Sequence, residues 1–320
     1  MAGLKDLQPC PLCRGSACEI VGTRDRDGSA LQTTMCVACG HVFTNPPPTQ
    51  DEMAAYYRDR YRSDYKGVRT PKPKHVLRAG FRALERLERL QAFVPPQARV
   101  LDIGAGGGEF VYLLGRAGYE AVGVEPNVGY ADHARVAYGI DMCPGTLESA
   151  RFDAASFDVI TLHHVLEHVI DPHGALTRIA AWLKPGGHLI VEVPNVMSWF
   201  HAPRRRFHRA HVQTFHAKGL EDLLAGHGFE LIDTAITEGP THINVVACKT
   251  GVATQRGFRD CSADVRAHFH RHTEVSHVTS GMALRRVWGN VTRPWREARQ
   301  LAALGATGPR AILDGLFDAR

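Results

Sequence analysis

Two carboxylates flank a glycine-rich turn, and their types and spacing suit a cationic nucleoside ligand. Asp102 precedes Gly104, Gly106 and Gly108, and Glu125 ends the next apolar run of the chain. Glycines carry no Cβ, so a ligand can approach the backbone where a helix begins. A carboxylate at a second strand end can accept both hydroxyls of a ribose. These residues describe a ligand with an ammonium group, a sugar and a flat base.

The same turn departs from the dinucleotide-binding fingerprint. That fingerprint requires a third small residue, which would fall at position 109, where the chain has Glu109. Asp102, two residues before the first glycine, would also repel a pyrophosphate and attract an ammonium group. We therefore expect Asp102, Gly104, Gly106, Gly108 and Glu125 to bind S-adenosylmethionine.

Alternating apolar patterns surround this turn and predict an α/β fold. Strands are predicted at 98–103, 120–125, 140–143, 157–162, 188–193, 229–236 and 242–249. Helices are predicted near 107–117, 127–138, 173–183 and 216–227. Such alternation is typical of a doubly wound, seven-stranded Rossmann-like sheet with ligands at the carboxyl ends of its strands. A dehydrogenase or a ligand-free α/β domain is the alternative.

Residues 98–250 resemble the class I S-adenosylmethionine-dependent methyltransferases. Beyond the glycine turn, the resemblance rests on 157–168, which ends in Leu-Glu-His, on 183–193 and on 211–229. The Leu-Glu-His signature is similar to that of ubiquinone-type O-methyltransferases. The resemblance implies that Leu147 packs on the adenine and that His163 lines the cofactor site through its backbone. Leu147 could equally be a plain loop residue.

The resemblance also raises the question of a divalent metal site. In that O-methyltransferase group, a Glu-x-x-Glu-His run is associated with a divalent metal. In this sequence His164 stands at the first glutamate, whereas Glu167 and His168 are retained. The alternative is that Glu167 and His168 hold the loop by local hydrogen bonds.

Three residues are candidates for catalysis on the acceptor side. His211 resembles the family's histidine before the last helix, and a histidine can take a proton near neutral pH. His164 is a second candidate. Tyr57 belongs to a set of tyrosines at helical spacing that could form a lid over the cofactor: Tyr56, Tyr57, Tyr61 and Tyr65. The alternatives are a structural histidine and a half-buried amphipathic helix.

Two C-x2-C pairs near the N-terminus predict a zinc ribbon with a closed, structural site. Cys10 and Cys13 form one pair, and Cys36 and Cys39 form the other. Two such knuckles complete a tetrahedron of thiolates around Zn2+. Cys18 is expected to be a free thiol, and His41 a surface residue.

A basic, aromatic segment between the fifth strand and the next helix suggests the kind of acceptor. Arg204, Arg205 and Arg206 lie there, and arginine suits phosphate or carboxylate groups. We expect O-methylation of an anionic or sugar-like small molecule. The alternatives are a solvated basic loop, an rRNA or other nucleic-acid methyltransferase, and a zinc-ribbon module that binds the cofactor without turnover.

Composition limits the class of protein. The chain has 320 residues, 44% apolar, with a formal net charge of +5 that does not by itself indicate nucleic acid. Neither a signal peptide nor a membrane span is expected, and paired cysteines favour a reducing, cytoplasmic compartment. The predicted domains are a zinc ribbon (1–48), a linker, lid and helix (49–97), the methyltransferase domain (98–250) and a helical extension (251–320). Trp288 and Trp295 share one helical face, so the extension could dock on the core or form a homodimer.

Overall fold

The computed structural model describes residues 7–49, 51–53, 71–237, 241–254, 257–306 and 308–320. Tyr57 and the other tyrosines of the predicted lid lie outside the described residues. The chain divides into two compact units. One contains Met1–Asp64, His163–Ala180 and Val191–Arg285, and the other contains Tyr65–Leu162, Ala181–Ile190 and Arg286–Arg320. We call them the ribbon unit and the nucleotide unit.

The predicted doubly wound sheet is confirmed. The seven strands are β4 (Arg99–Ile103), β5 (Glu120–Glu125), β6 (Asp141–Pro144), β7 (Phe157–His163), β8 (Leu183–Pro194), β10 (Phe229–Thr237) and β11 (His242–Lys249). They run in the order β10-β11-β8-β7-β4-β5-β6. β4 pairs in parallel with β5 and β7, β5 pairs in parallel with β6, and β10 pairs with β11 in the antiparallel direction.

The nucleotide unit is built on buried parallel strands with helices packed against them. Val100, Leu101 and Ile103 of β4 are buried, as continuous apolar runs in parallel sheets require. Its helices are α1 (Pro73–Gln91), α2 (Glu109–Arg116), α3 (Val128–Tyr138) and α9 (Pro309–Asp318). Gly80 of α1 allows α9 to approach, because an added Cβ would lie 2.6 Å from Leu316 Cδ1. The chain's last helix is thus packed against α1.

The ribbon unit contains a four-stranded sheet in the order β1-β2-β3-β9. Its strands are β1 (Cys18–Arg24), β2 (Ala30–Cys36), β3 (Val42–Thr44) and β9 (Gln213–Thr214). Its helices are α4 (Pro172–Trp182), α5 (Ala217–Ala225), α6 (Ser262–Arg271) and α7 (Glu274–Thr279), and α8 (Met282–Leu304) follows. Beneath the sheet a cluster that includes Met35, Phe207 and Val265 is buried. β9 comes from a segment far along the chain, which local pattern did not predict.

The strand predicted at 188–193 begins earlier, because β8 starts at Leu183, directly after α4 ends at Trp182. Lys184 pairs with Asp158 at 2.8 Å, and an added Cβ on Gly187 would lie 3.0 Å from the Asp158 carbonyl oxygen. These contacts hold the start of β8 against β7, and Gly186, with φ of 74°, bends the chain there. Within the described residues, every helix is too short or too polar to span a membrane.

Candidate active site

The glycine turn after β4 has the backbone that its composition predicts. Gly104, Gly106 and Gly108 have φ of 75°, 56° and 81°, a region that L side chains rarely adopt. The N–H groups of Gly104 and Ala105 both donate to the Val124 carbonyl, at 2.8 and 3.0 Å. An added Cβ on Gly106 would meet no heavy atom within 4 Å. The turn is therefore fixed at its base and open above Gly106.

The two predicted acids lie at the carboxyl ends of neighbouring parallel strands. Asp102 and Glu125 are each 4% exposed. Asp102 accepts a hydrogen bond from the Thr161 hydroxyl at 2.7 Å. Glu125 accepts backbone hydrogen bonds from Gly106 and Asn127, both at 2.9 Å. Burial raises the pKa of Glu125, against the opposing effect of those two N–H groups. The acids thus bracket the turn.

The loop after β6 lies against the same strand end. The Gly145 N–H donates to the Glu125 carbonyl oxygen at 3.0 Å. Leu147, two residues on, is 3% exposed. The loop therefore lies beside the expected ribose site.

Glu109 is a feature whose role the sequence did not reveal. Its carboxylate folds beneath the turn, because an added Cβ on Gly107 would lie 2.7 Å from both carboxylate oxygens. Burial raises the pKa of Glu109 to about 7. The signal available in the sequence was an acid at the first helical position after three glycines.

In the ribbon unit, His164 is held between two glutamates. Its Nε2 lies 2.8 Å from Glu192 Oε1 and its Nδ1 lies 3.3 Å from Glu167 Oε1. Burial lowers the pKa of His164, but the two carboxylates outweigh burial and raise that pKa to about 9. The backbone of His164 has φ of 59°, which is unusual for a residue with a side chain. His164 is therefore an oriented imidazolium near neutral pH.

Glu167, His168 and His211 form a second part of this cluster. Glu167 is 1% exposed, and its Oε2 has no hydrogen-bond partner among the described residues. His168 Nδ1–H donates to the Ala210 carbonyl at 2.7 Å, and its Nε2 lies 3.8 Å from Glu167 Oε1. Burial lowers the pKa of His211 to about 3, so this imidazole is neutral. One ligand-type atom from each residue lies within 4.8 Å of the others.

This second set fits a divalent metal. Imidazole nitrogens and a carboxylate are donors that Zn2+, Mn2+ or Fe2+ accept. The unpaired Glu167 oxygen and the backbone-oriented His168 are what such a site would show. A further set, His164, Glu192 and His242, also lies within 4.8 Å. Sequence reasoning missed Glu192 and His242; an acid at the end of an apolar strand was the only signal for Glu192.

The four predicted zinc ligands come together. Cys10 Sγ lies 3.7 Å from Cys39 Sγ, and Cys13 Sγ lies 3.4 Å from Cys36 Sγ. All four sulfur atoms lie within 4.8 Å of one another, as a closed tetrahedral site requires.

The prediction of His41 as a surface residue is wrong. His41 is fully buried, and its Nε2 lies 2.8 Å from Gln213 Oε1. Phe43 stacks on its ring, with the ring centroids 5.9 Å apart. The cause is that β9 pairs with β3 and covers the ribbon.

One of the three arginines expected at the acceptor packs inside the ribbon unit. Arg204 is not that residue: its backbone N–H donates to Glu274 at 2.7 Å, but its side chain is 77% exposed. The Arg206 guanidinium lies 4.1 Å from the centroid of Phe269 and donates to the His272 carbonyl at 3.3 Å. The Arg206 side chain therefore packs within the ribbon unit.

Comparison with known proteins agrees with this geometry. Residues 76–234 match the family described as a methyltransferase domain. The chain carries a methyltransferase domain of the class I S-adenosylmethionine-dependent type, a class that uses S-adenosylmethionine as its methyl donor. The match covers the glycine turn, both acids and the histidine–glutamate cluster except His242.

Individual relatives match over part of their length. The ubiquinone biosynthesis O-methyltransferase of Hahella chejuensis is 35% identical over 106 residues, 31% of this chain and 44% of that protein. The enzyme of the same name from Xanthomonas axonopodis pv. citri is 34% identical over 131 residues, 39% of this chain and 53% of that protein. The chain thus spans about half the length of these curated relatives.

Among solved structures, the 1,6-didemethyltoxoflavin-N1-methyltransferase of Burkholderia thailandensis was determined with S-adenosylhomocysteine bound. It is 22% identical, with a TM-score of 0.49, and the alignment covers 66% of this chain and 96% of that one.

Proposed function

We propose that this protein transfers a methyl group from S-adenosylmethionine to an oxygen of a small-molecule acceptor, anionic or sugar-like in character. The observation that carries the proposal is the pair Asp102 and Glu125 on either side of a turn that is open above Gly106. An acid at each strand end suits an aminoacyl sulfonium nucleoside and opposes a pyrophosphate.

In this proposal each part of the cofactor has its own contact. Asp102 and the turn Gly104, Gly106 and Gly108 hold the methionine part. Glu125 accepts the ribose hydroxyls. Leu147 packs on the adenine, and His163 lines the cofactor site through its backbone. Methyl transfer is a direct displacement with a neutral thioether as leaving group, so alignment contributes more than charge neutralisation.

On the acceptor side, His164 and His211 have complementary charge states. The imidazolium of His164, held by Glu167 and Glu192, can stabilise negative charge that develops on the acceptor oxygen. Neutral His211 can accept the acceptor's proton. Tyr57, outside the described residues, stays a candidate for orienting the acceptor.

A metal would change the role of His211. Glu167, His168 and His211 would hold a divalent ion, which as a Lewis acid would lower the pKa of an acceptor hydroxyl. In that state His211 is a ligand and not a base. Metal content separates these two roles.

The zinc site and the domain division complete the proposal. Cys10, Cys13, Cys36 and Cys39 would hold a structural Zn2+ that organises the ribbon. Within the described residues no cysteine forms a disulfide, and we place the protein in a reducing, cytoplasmic compartment. We retain the four domains 1–48, 49–97, 98–250 and 251–320 as the working division.

One assay tests the function against both alternatives. Purified, zinc-loaded protein is incubated with S-adenosylmethionine labelled in its methyl group and with either an RNA fraction or a fractionated pool of small metabolites. We expect label in small molecules. Label in RNA would establish the nucleic-acid alternative, and S-adenosylhomocysteine binding without transfer to either fraction would leave a binding module.

A further inference from the structure

Helix α8 carries a row of exposed apolar side chains that the methyltransferase activity does not use. Val287, Trp288, Val291 and Trp295 are 60%, 72%, 60% and 79% exposed. At about 100° per residue, the four lie within an arc of about 100° on one side of the helix. We call them the apolar stripe. Large apolar side chains are normally buried away from water, so an exposed stripe of this kind marks an interaction surface.

The helix is held in the nucleotide unit by a different face. Glu297 is 6% exposed and forms a two-pronged ion pair with Arg78 of α1, one prong at 2.8 Å. Leu304 lies against Gly315 of α9, where an added Cβ would meet Leu304 Cδ2 at 3.0 Å. The apolar stripe is therefore turned away from the contacts that anchor α8.

The charges around the stripe have one sign. At about 100° per residue, Arg299 and Arg296 lie about 20° and about 80° beyond one edge of the stripe. Glu297 is the only acid between Arg286 and Leu304, and Arg78 already neutralises it. One edge of the stripe is therefore lined by positive charge that its own helix does not compensate.

This charge pattern selects the occupant. A second copy packed stripe to stripe in the antiparallel orientation would bring these arginines against their own equivalents, and like charges oppose such pairing. In the parallel orientation a second copy would bring them no acid, because Glu297 is the only acid between Arg286 and Leu304. An anionic surface is complementary. Tryptophan favours the boundary between hydrocarbon and water, where its ring is buried and its N–H stays hydrated, and arginine stems reach from that depth to phosphate groups. We propose that α8 binds the surface of an anionic lipid bilayer through the apolar stripe.

The full-length, zinc-loaded protein is mixed with sedimentable vesicles of phosphatidylcholine alone or with about 30% phosphatidylglycerol. We expect at least about tenfold stronger partition onto the anionic vesicles, weakening as salt screens the attraction. Tryptophan emission should shift to shorter wavelength in the same samples. Equal partition onto both vesicle types would overturn the proposal.

Paired variants locate the surface. V287S/V291S should lower partition onto anionic vesicles by about tenfold. Its matched control is V136S/V252S, which changes two valines that are 88% and 75% exposed elsewhere. Binding of S-adenosylhomocysteine by each variant confirms that it is folded. Equal losses in both pairs would overturn the proposal.

A second pair of variants tests the requirement for positive charge. R296Q/R299Q should lower partition and flatten its salt dependence, whereas R178Q/R271Q, which changes two exposed arginines off α8, should not. Light scattering during gel filtration reports the competing occupant. A dimer that V287S/V291S abolishes, without vesicle binding by the parent protein, would assign the stripe to a second copy. Binding to acidic proteins but to no vesicle would likewise overturn a lipid partner.

Discussion

The carboxylate of Glu125 accepts a hydrogen bond from the backbone N–H of Gly106 at 2.9 Å. The end of β5 thereby fixes the glycine turn that follows β4, 19 residues earlier in the chain. Both Glu125 oxygens accept backbone N–H groups, since the other bonds Asn127. The acid proposed to accept the ribose therefore also shapes the turn proposed to hold the methionine part.

Glu125→Gln should weaken S-adenosylhomocysteine binding by about 10- to 100-fold, because an amide replaces a charged acceptor of hydrogen bonds. Isothermal titration calorimetry measures the effect. Glu120→Gln, an exposed position on the same strand, is the matched control and should bind as the parent does. Unchanged affinity in Glu125→Gln would remove this residue from the site.

Two glycine substitutions should separate ligand access from folding. Gly106→Ala should abolish measurable cofactor binding, because the added methyl enters the open space above the turn. It should lower the free energy of unfolding by only about 1 kcal/mol, the cost of a side chain at positive φ. Gly108→Ala should cost more, about 2 to 4 kcal/mol, because its Cβ would lie 2.7 Å from Ala134 Cβ and Ile140 Cδ1. Urea unfolding and calorimetry give both numbers. Equal effects of the two variants on both measurements would contradict this reading of the turn.

Stability should depend on pH through Glu109. Its folded-state pKa is about 7, against 4.5 for an unperturbed glutamate, so the folded protein keeps a proton that the unfolded chain releases. The free energy of unfolding should therefore fall as pH rises from 4.5 to 7, by at most about 3 kcal/mol from this group.

Comparison of variants isolates that contribution. Glu109→Gln should remove it and be more stable than the parent protein at pH 8, whereas Glu88→Gln, at an exposed glutamate of α1, should change neither slope nor stability. Denaturant unfolding between pH 5 and pH 8 supplies the curves. A slope in Glu109→Gln equal to that of the parent would assign the pH dependence to other groups.

The ribbon should require zinc. Elemental analysis should find one Zn2+ per chain, and chelation should unfold the ribbon, because metal binding supplies on the order of 10 kcal/mol in zinc-finger peptides. Cys36→Ser should lose the metal and lower the melting temperature. Cys143→Ser, outside the cluster, should retain both. Full zinc occupancy in Cys36→Ser would contradict the assignment of this ligand.

A second metal should bind zinc-loaded protein at the histidine–glutamate cluster. Electron paramagnetic resonance with Mn2+ should show an affinity at least about tenfold lower in His168→Gln than in the parent. His173→Gln is the control, since His173 bonds the Leu12 carbonyl and lies outside the cluster.

His211→Gln then decides between the two roles of that residue. Loss of Mn2+ binding makes His211 a ligand, and loss of turnover with Mn2+ binding retained makes it the base. If neither changes, His211 is outside the acceptor site.

Much of the fold follows from local pattern. The strand and helix at the glycine turn, predicted at 98–103 and 107–117, are β4 (Arg99–Ile103) and α2 (Glu109–Arg116). Periodicities of 2 and 3.6 residues are set by side chains close in sequence. The cysteine pairs are local in the same sense, because each knuckle is one turn.

The sequence by itself thus determined the alternating α/β order, the acid–glycine–acid turn and the four-cysteine cluster. Only the tertiary structure decided which distant side chains meet: His164 with Glu192, 28 residues on, and with His242, 78 residues on. It likewise buried His41 against Gln213 and left the apolar stripe of α8 exposed. The physical reason is that such contacts depend on strand register and on the paths of loops. Many weak interactions over the whole chain set these together, so the local sequence around each residue does not predict its distant partner.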